Sequence, residues 1–110
     1  MKIIYNSFIP FKGFTAMNLF GVVFVRKSKT MSKRMINHEK IHTAQMEEMM
    51  YIPFYILYLI EYVFRVFQYK FKLHTAYRNI SFEREAYTKQ GAYSYLGQRT
   101  LFSWINYLKK

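Results

Sequence analysis

Two of the three histidines in this 110-residue chain stand four apart in the run Asn37-His38-Glu39-Lys40-Ile41-His42-Thr43-Ala44-Gln45, with a glutamate next to the first. On a helix that spacing turns roughly 400°, so His38 and His42 project about 40° apart and one turn displaced, within reach of one metal ion. Glu39 then lies beside the metal rather than on it. A carboxylate in that position can take a proton from water activated by the metal. The bland alternative is a chance match in which two helical histidines face solvent, so the motif gains meaning only from its helix and from a third ligand.

A catalytic zinc takes three protein ligands and keeps one position open. The six acids of the chain are all glutamates, which limits the candidates to Glu39, Glu47, Glu48, Glu61, Glu83 and Glu85, with His74 as the remaining histidine. Glu48 stands six after His42, where some zinc sites place a third histidine, but Gln45 occupies the position of the glycine that would end the helix there. On an unbroken helix Glu48 sits roughly 240° from His42 and points away. Glu61 follows His42 with eighteen residues between them, a separation similar to that of some zinc aminopeptidases. Its plainer role is a pair with Arg65, four residues on. His74 reads as a surface or loop histidine, with a lesser role open to it in steering a transition-state oxygen. Glu83 and Glu85 are two apart, so only one of them faces a given site. Ala86, three after Glu83, is small enough to let that face pack closely on the motif helix. This favours Glu83 and leaves Glu85 as a solvated helix residue.

The elements that must hold these groups fit one α+β domain over 1–110. The first part, 1–29, reads as a β-hairpin and linker, and 30–110 as a mainly helical core. Residues 2–9 and 19–26 are β-branched and aromatic and bracket Pro10, Gly13 and Asn18, which predicts an antiparallel strand pair. The strand over 19–26 could also pair with an extended peptide. Thr30 or Ser32 can cap a helix running from Lys33 to about Met50, which carries the motif. Pro53 should kink or restart that helix. A helix is expected to begin within 76–87, capped by Asn79 or Ser81 and ended by Gly91, and a last one to run from about Gln98 to Leu108.

The chain lacks cysteine, which excludes disulfides and thiolate zinc sites, so any metal sits on nitrogen and oxygen. Lysine and arginine total 17 against 6 acids, and residues 1–38 hold seven basic residues and no acid. Such a field attracts anionic lipid, acidic peptide or nucleic acid. Eleven tyrosines and eleven phenylalanines beside many lysines suit a membrane interface and also stacking on bases, with nucleic acid the less expected partner. The stretch 49–69 is the most apolar, charged only at Glu61 and Arg65. It reads as an interfacial helix, with a membrane span and a buried helix of a small soluble bundle as alternatives. The N-terminus has no long apolar run or small-residue cleavage site, so no signal peptide is expected and the default compartment is cytoplasmic.

The sequence resembles the gluzincin class of zinc metallopeptidases, with HEKIH for the two histidines and the base and FEREA for the downstream glutamate helix. The Phe-Glu-x-x-Ala form is similar to the third-ligand helix of membrane-associated gluzincins, in which the glutamate after the aromatic residue binds zinc. By position, the resemblance implies Glu83 as that ligand. HEKIHTAQ, IPFYILYLIEYVFR and AYRNISFEREAY further resemble a group of small uncharacterised bacterial proteins classed as zinc peptidases, and this likeness covers most of the chain. It implies Zn²⁺ held by His38, His42 and Glu83, and hydrolysis of a peptide or protein substrate with Glu39 as general base. One departure is Tyr87, which stands where gluzincins commonly place an aspartate that orients a zinc-binding histidine. Tyrosine can hydrogen-bond there but supplies no carboxylate.

Overall fold

The computed structural model describes residues 2–6, 16–26 and 31–108. Three short strands come first: β1 (Lys2–Asn6), β2 (Ala16–Leu19) and β3 (Val22–Arg26). Helices α1 (Lys33–Glu48), α2 (Ile52–Gln68), α3 (Leu73–Arg78), α4 (Ser81–Lys89) and α5 (Tyr95–Gln98) follow, and a 3₁₀ turn over Ser103–Tyr107 comes last. The fold is therefore α+β, as the sequence suggests.

The sheet differs from the expected hairpin. Its strand order is β1-β3-β2, with β1 parallel to β3 and only β2 antiparallel to it. The run 19–26 is not one strand, because Phe20 and Gly21 both adopt positive φ, 53° and 87°, and reverse the chain. Two central residues with positive φ suit the twist of a two-residue hairpin. Asn18 Oδ1 accepts the Gly21 N–H at 3.0 Å, and Tyr55 Oη accepts the Phe20 N–H at 2.9 Å. The segments expected to form an antiparallel pair are instead parallel neighbours, with Ile3 opposite Val23 and Tyr5 opposite Val25. Pro10, Gly13, Lys27 to Thr30 and the end of the first expected strand lie outside the described residues.

Helix α1 starts where Ser32 Oγ accepts the Met35 N–H at 3.2 Å, so Ser32 is the cap. It ends two residues earlier than expected. Met50 and Tyr51 take positive φ, 57° and 67°, and the axis bends by 113° into α2. A helix restarts at Pro53, as the sequence suggests, and the proline occupies the first turn of α2, where a missing N–H costs nothing. The two helices together have the length and apolarity of a bent span, but no single helix among the described residues is long and apolar enough to cross a membrane.

The helix expected to begin within 76–87 and to end at Gly91 is α4, and the short α3 precedes it. The Ser81 N–H and Oγ–H both donate to Glu61, at 2.7 and 2.6 Å, so a carboxylate from α2 caps α4. Neither expected side-chain cap is used. Asn79 bonds the Thr75 carbonyl and accepts from Arg84 instead. The continuous helix expected near the C-terminus is also broken, with Phe102 at φ 59° between α5 and the 3₁₀ turn.

Met46, Met49, Phe54, Ile80 and Phe82 form the core between α1, α2 and α4, and Trp104 of the 3₁₀ turn covers Phe82 with ring centroids 4.6 Å apart. Each such side chain contributes about 1.5–3 kcal/mol on burial. Ala86, fully buried, meets the expectation of a small residue on the Glu83 side of α4.

Candidate metal centre

Helix α1 presents His38 and His42 toward α4, whose first turn carries Glu83, and all three side chains are buried. The His38 and His42 Nε2 atoms are 3.1 Å apart, and Glu83 Oε1 is 3.3 Å from the first and 3.1 Å from the second. One ligand atom from each of the three residues lies within 4.8 Å of the others, so the group can hold a metal ion.

The hydrogen bonds behind the ligands decide which atoms face that centre. Gln45 Nε2 lies 3.1 Å from the Phe82 carbonyl oxygen and 2.9 Å from Glu85 Oε1, both acceptors, so it must be the NH₂ group. Its oxygen is then what meets His42 Nδ1 at 2.8 Å. His42 therefore carries its hydrogen on Nδ1 and keeps the Nε2 lone pair for a metal. Gln90 Oε1 lies 2.9 Å from His38 Nδ1 and sets the same tautomer there. Two imidazole lone pairs 3.1 Å apart repel unless a cation lies between them or one nitrogen is protonated. Tyr58 donates to Glu83 Oε2 at 2.6 Å, which ties up one carboxylate oxygen and leaves Oε1 for the centre.

The electrostatics of the cluster follow the same pattern. Burial is the largest influence on His42 and opposes its imidazolium, yet the charge and hydrogen bond of Glu83, with help from Glu39 and Gln45, raise it to about 9. Burial likewise works against the Glu83 carboxylate, but the charge His42 carries when a proton on Nε2 stands in for a metal, together with the histidine contacts at Oε1, holds it well below the usual carboxylate range. Burial and then the neighbouring Glu83 charge push the Tyr58 hydroxyl far up, so it stays a donor. The centre attracts positive charge.

Glu39 is outside the ligand group and lines the cleft beside it. This cleft, of about 410 Å³, is walled by Met17 and Leu19 of β2, Met46 of α1, Phe54 and Tyr55 of α2, and Tyr77 of α3. Asn18 Nδ2 donates to the Glu39 carbonyl and to Thr43 Oγ1, both at 3.1 Å, and so fastens β2 to the motif helix.

The remaining candidates are spent elsewhere. Glu48 forms a two-pronged pair with Arg99, at 2.9 and 3.0 Å. Glu61 joins Arg65 and the start of α4. His74 is exposed on α3, its ring tilted against that of Tyr77 with centroids 6.0 Å apart. Tyr87 does not orient a histidine by hydrogen bonding. Its ring meets His38 edge-on at 4.5 Å, and its hydroxyl bonds Tyr77. Glu85 is not solvated, as expected of it, but fully buried, receiving Arg99, Tyr95 and Gln45. A residue two positions out of phase with the site still faces protein here, because the segment around α5 folds back over it. Burial works against the Glu85 carboxylate, and the Arg99 hydrogen bonds outweigh it and lower the group.

Sequence reasoning misses Tyr58, Gln45 and Gln90. Tyr51, Tyr55, Tyr58 and Tyr62 recur at helical spacing on one face of α2, and Gln45 stands one turn after His42, so both signals are present. Nothing in the sequence marks Gln90. No protein-family model, curated protein or solved structure matches the chain.

Proposed function

We propose that the chain is a minimal zinc-dependent metallopeptidase of the gluzincin kind, with His38, His42 and Glu83 as ligands and Glu39 as general base. The observation that carries this reading is the buried convergence of both motif histidines with Glu83, beside a cleft that Glu39 lines. Two imidazoles and one carboxylate are the donor set of several catalytic zinc sites. When bound, zinc supplies Lewis acidity that makes water a nucleophile near neutral pH. Glu39 takes the proton released as that water attacks the peptide carbonyl and returns it to the leaving amine. Gln45 and Gln90 keep the imidazoles in the ligating tautomer, and Tyr58 keeps Glu83 turned toward them.

The cleft walls of methionine, leucine and phenylalanine favour an apolar side chain next to the scissile bond. An extended substrate cannot pair with β3, as the sequence suggests for 19–26, because β1 and β2 take both of its edges. Among the described strands, β2 borders the cleft and has one edge without a strand partner. It is the better place for main-chain pairing. Zinc content together with hydrolysis of a mixed peptide library, parent against Glu39→Gln, tests the proposal. Parent protein that holds zinc but cleaves no more than Glu39→Gln would leave the second reading, a basic aromatic module with a structural metal. The exposed apolar face of α2 favours that alternative.

A further inference from the structure

Helix α2 is apolar on both sides, and only one side is packed against the other described residues. Phe54, Tyr55, Tyr58 and Arg65 face the protein, whereas Ile56, Leu59, Ile60, Val63, Phe64 and Phe67 are each between 47% and 64% exposed. On a helical wheel these six fall within an arc of roughly 140°. A helix apolar all round belongs inside something, and a continuous exposed patch of this kind marks a binding surface. Its only two charges, Glu61 and Arg65, lie on the inward side and are committed to each other, to Ser81 and to the Leu108 carbonyl. The outward face therefore carries no charge from Ile52 to Tyr69, and Lys70 and Lys72 stand exposed just beyond it.

The sign of the surrounding surface selects the partner. Glu48, Glu61, Glu83 and Glu85, four of the six acids, are committed to internal pairs that take up only Arg65 and Arg99 of the 17 lysines and arginines. The surface is thus more one-signed than the net charge of +11 conveys. A second copy brought against α2 would meet like charge, whereas an anionic bilayer offers opposite charge around an apolar interior. At 17 residues α2 is about 25 Å long, shorter than a hydrocarbon core, and one side is covered by protein. It is proportioned to lie in an interface and is not long enough by itself to cross one.

We propose that the outward face of α2 docks the protein on an anionic lipid surface, with Lys70 and Lys72 at the headgroups. The full chain should co-sediment with mixed phosphatidylcholine–phosphatidylglycerol vesicles, more weakly with phosphatidylcholine alone, and less as salt rises. Ile60→Lys with Phe64→Lys should reduce vesicle partitioning at least about tenfold, with far-UV circular dichroism and melting temperature unchanged, since both side chains are exposed. A milder pair, Ile60→Gln with Phe64→Gln, should show a smaller loss in the same direction. Equal partitioning of the parent and both pairs would overturn the proposal. So would the absence of vesicle binding together with a dimer that the lysine pair dissociates, which would give the face to a second copy. Docking does not rest on the peptidase reading, because Glu39→Gln should bind vesicles like the parent whether or not the parent cleaves peptides.

Discussion

Gln45 accepts from His42 Nδ1 at 2.8 Å while its amide donates to Glu85 Oε1 at 2.9 Å, so a candidate metal ligand and a buried carboxylate are joined through one side chain. Arg99 continues the chain by pairing Glu85 with Glu48 on α1, the helix that carries both histidines. Replacing Gln45 with Leu removes the acceptor that fixes the His42 tautomer. Zinc affinity, measured by competition with a chromophoric chelator, should fall about 10–100-fold. Unchanged affinity would mean that packing alone orients His42.

Glu39 and Glu83 are assigned different work. Glu39→Gln preserves size and should leave zinc bound while lowering peptide hydrolysis by about 10²–10⁴-fold. Glu83→Gln should lose metal, as should His38→Ala and His42→Ala. Zinc content after gel filtration separates the two classes, and loss of zinc from Glu39→Gln would contradict the assignment.

Tyr58 offers a graded version of the same test. Tyr58→Phe keeps the ring that packs on Phe54 and Phe82 but frees Glu83 Oε2. Zinc affinity should drop by roughly tenfold, less than for Glu83→Gln. Stripping zinc with a chelator should lower the melting temperature of the parent, because a metal that binds only the folded state stabilises it. A parent that melts identically with and without chelator would argue against a folded-state metal site.

Helical spacing is a local signal and makes the His38–His42 pair legible in the sequence, whereas Glu83, 41 residues beyond His42, is reached only through Ala86 on its side and the likeness of FEREA to a third-ligand helix. The apolar runs of β1, β3 and α2 are local signals too, and α1 is legible from its capping serine and the absence of a helix breaker. The strand pairing is not, because parallel alignment of β1 with β3 depends on the Phe20–Gly21 reversal, which apolar residues on both sides conceal. Glu85 is buried against expectation because its partner Arg99 is fourteen residues away, and nothing in the periodicity of α4 shows that the segment around α5 returns to cover it. Position on a helix predicts direction, but burial depends on what else folds over that direction.

Glu61 shows the same limit and leads to the last prediction. Its pairing with Arg65 is legible from the four-residue spacing, but its second role is not: it receives both Ser81 donors and so starts the helix that carries Glu83. Glu61→Ala should therefore remove an N-terminal cap, which costs about 1–2 kcal/mol. It also leaves Arg65, only 2% exposed, without its carboxylate. An uncompensated buried charge costs about 3–5 kcal/mol, although Gln68 and the Leu108 carbonyl still accept from this guanidinium and hold the cost toward the lower end. The variant should lose roughly 3 kcal/mol or more in urea denaturation. Arg65→Met with Glu61→Gln should recover part of that loss, since the stranded charge is gone while a polar acceptor remains for Ser81. Both variants should bind zinc under conditions where they are folded, because Glu61 is not in the ligand group. Zinc lost from folded Glu61→Ala protein would show that the start of α4 is what holds Glu83 on the metal.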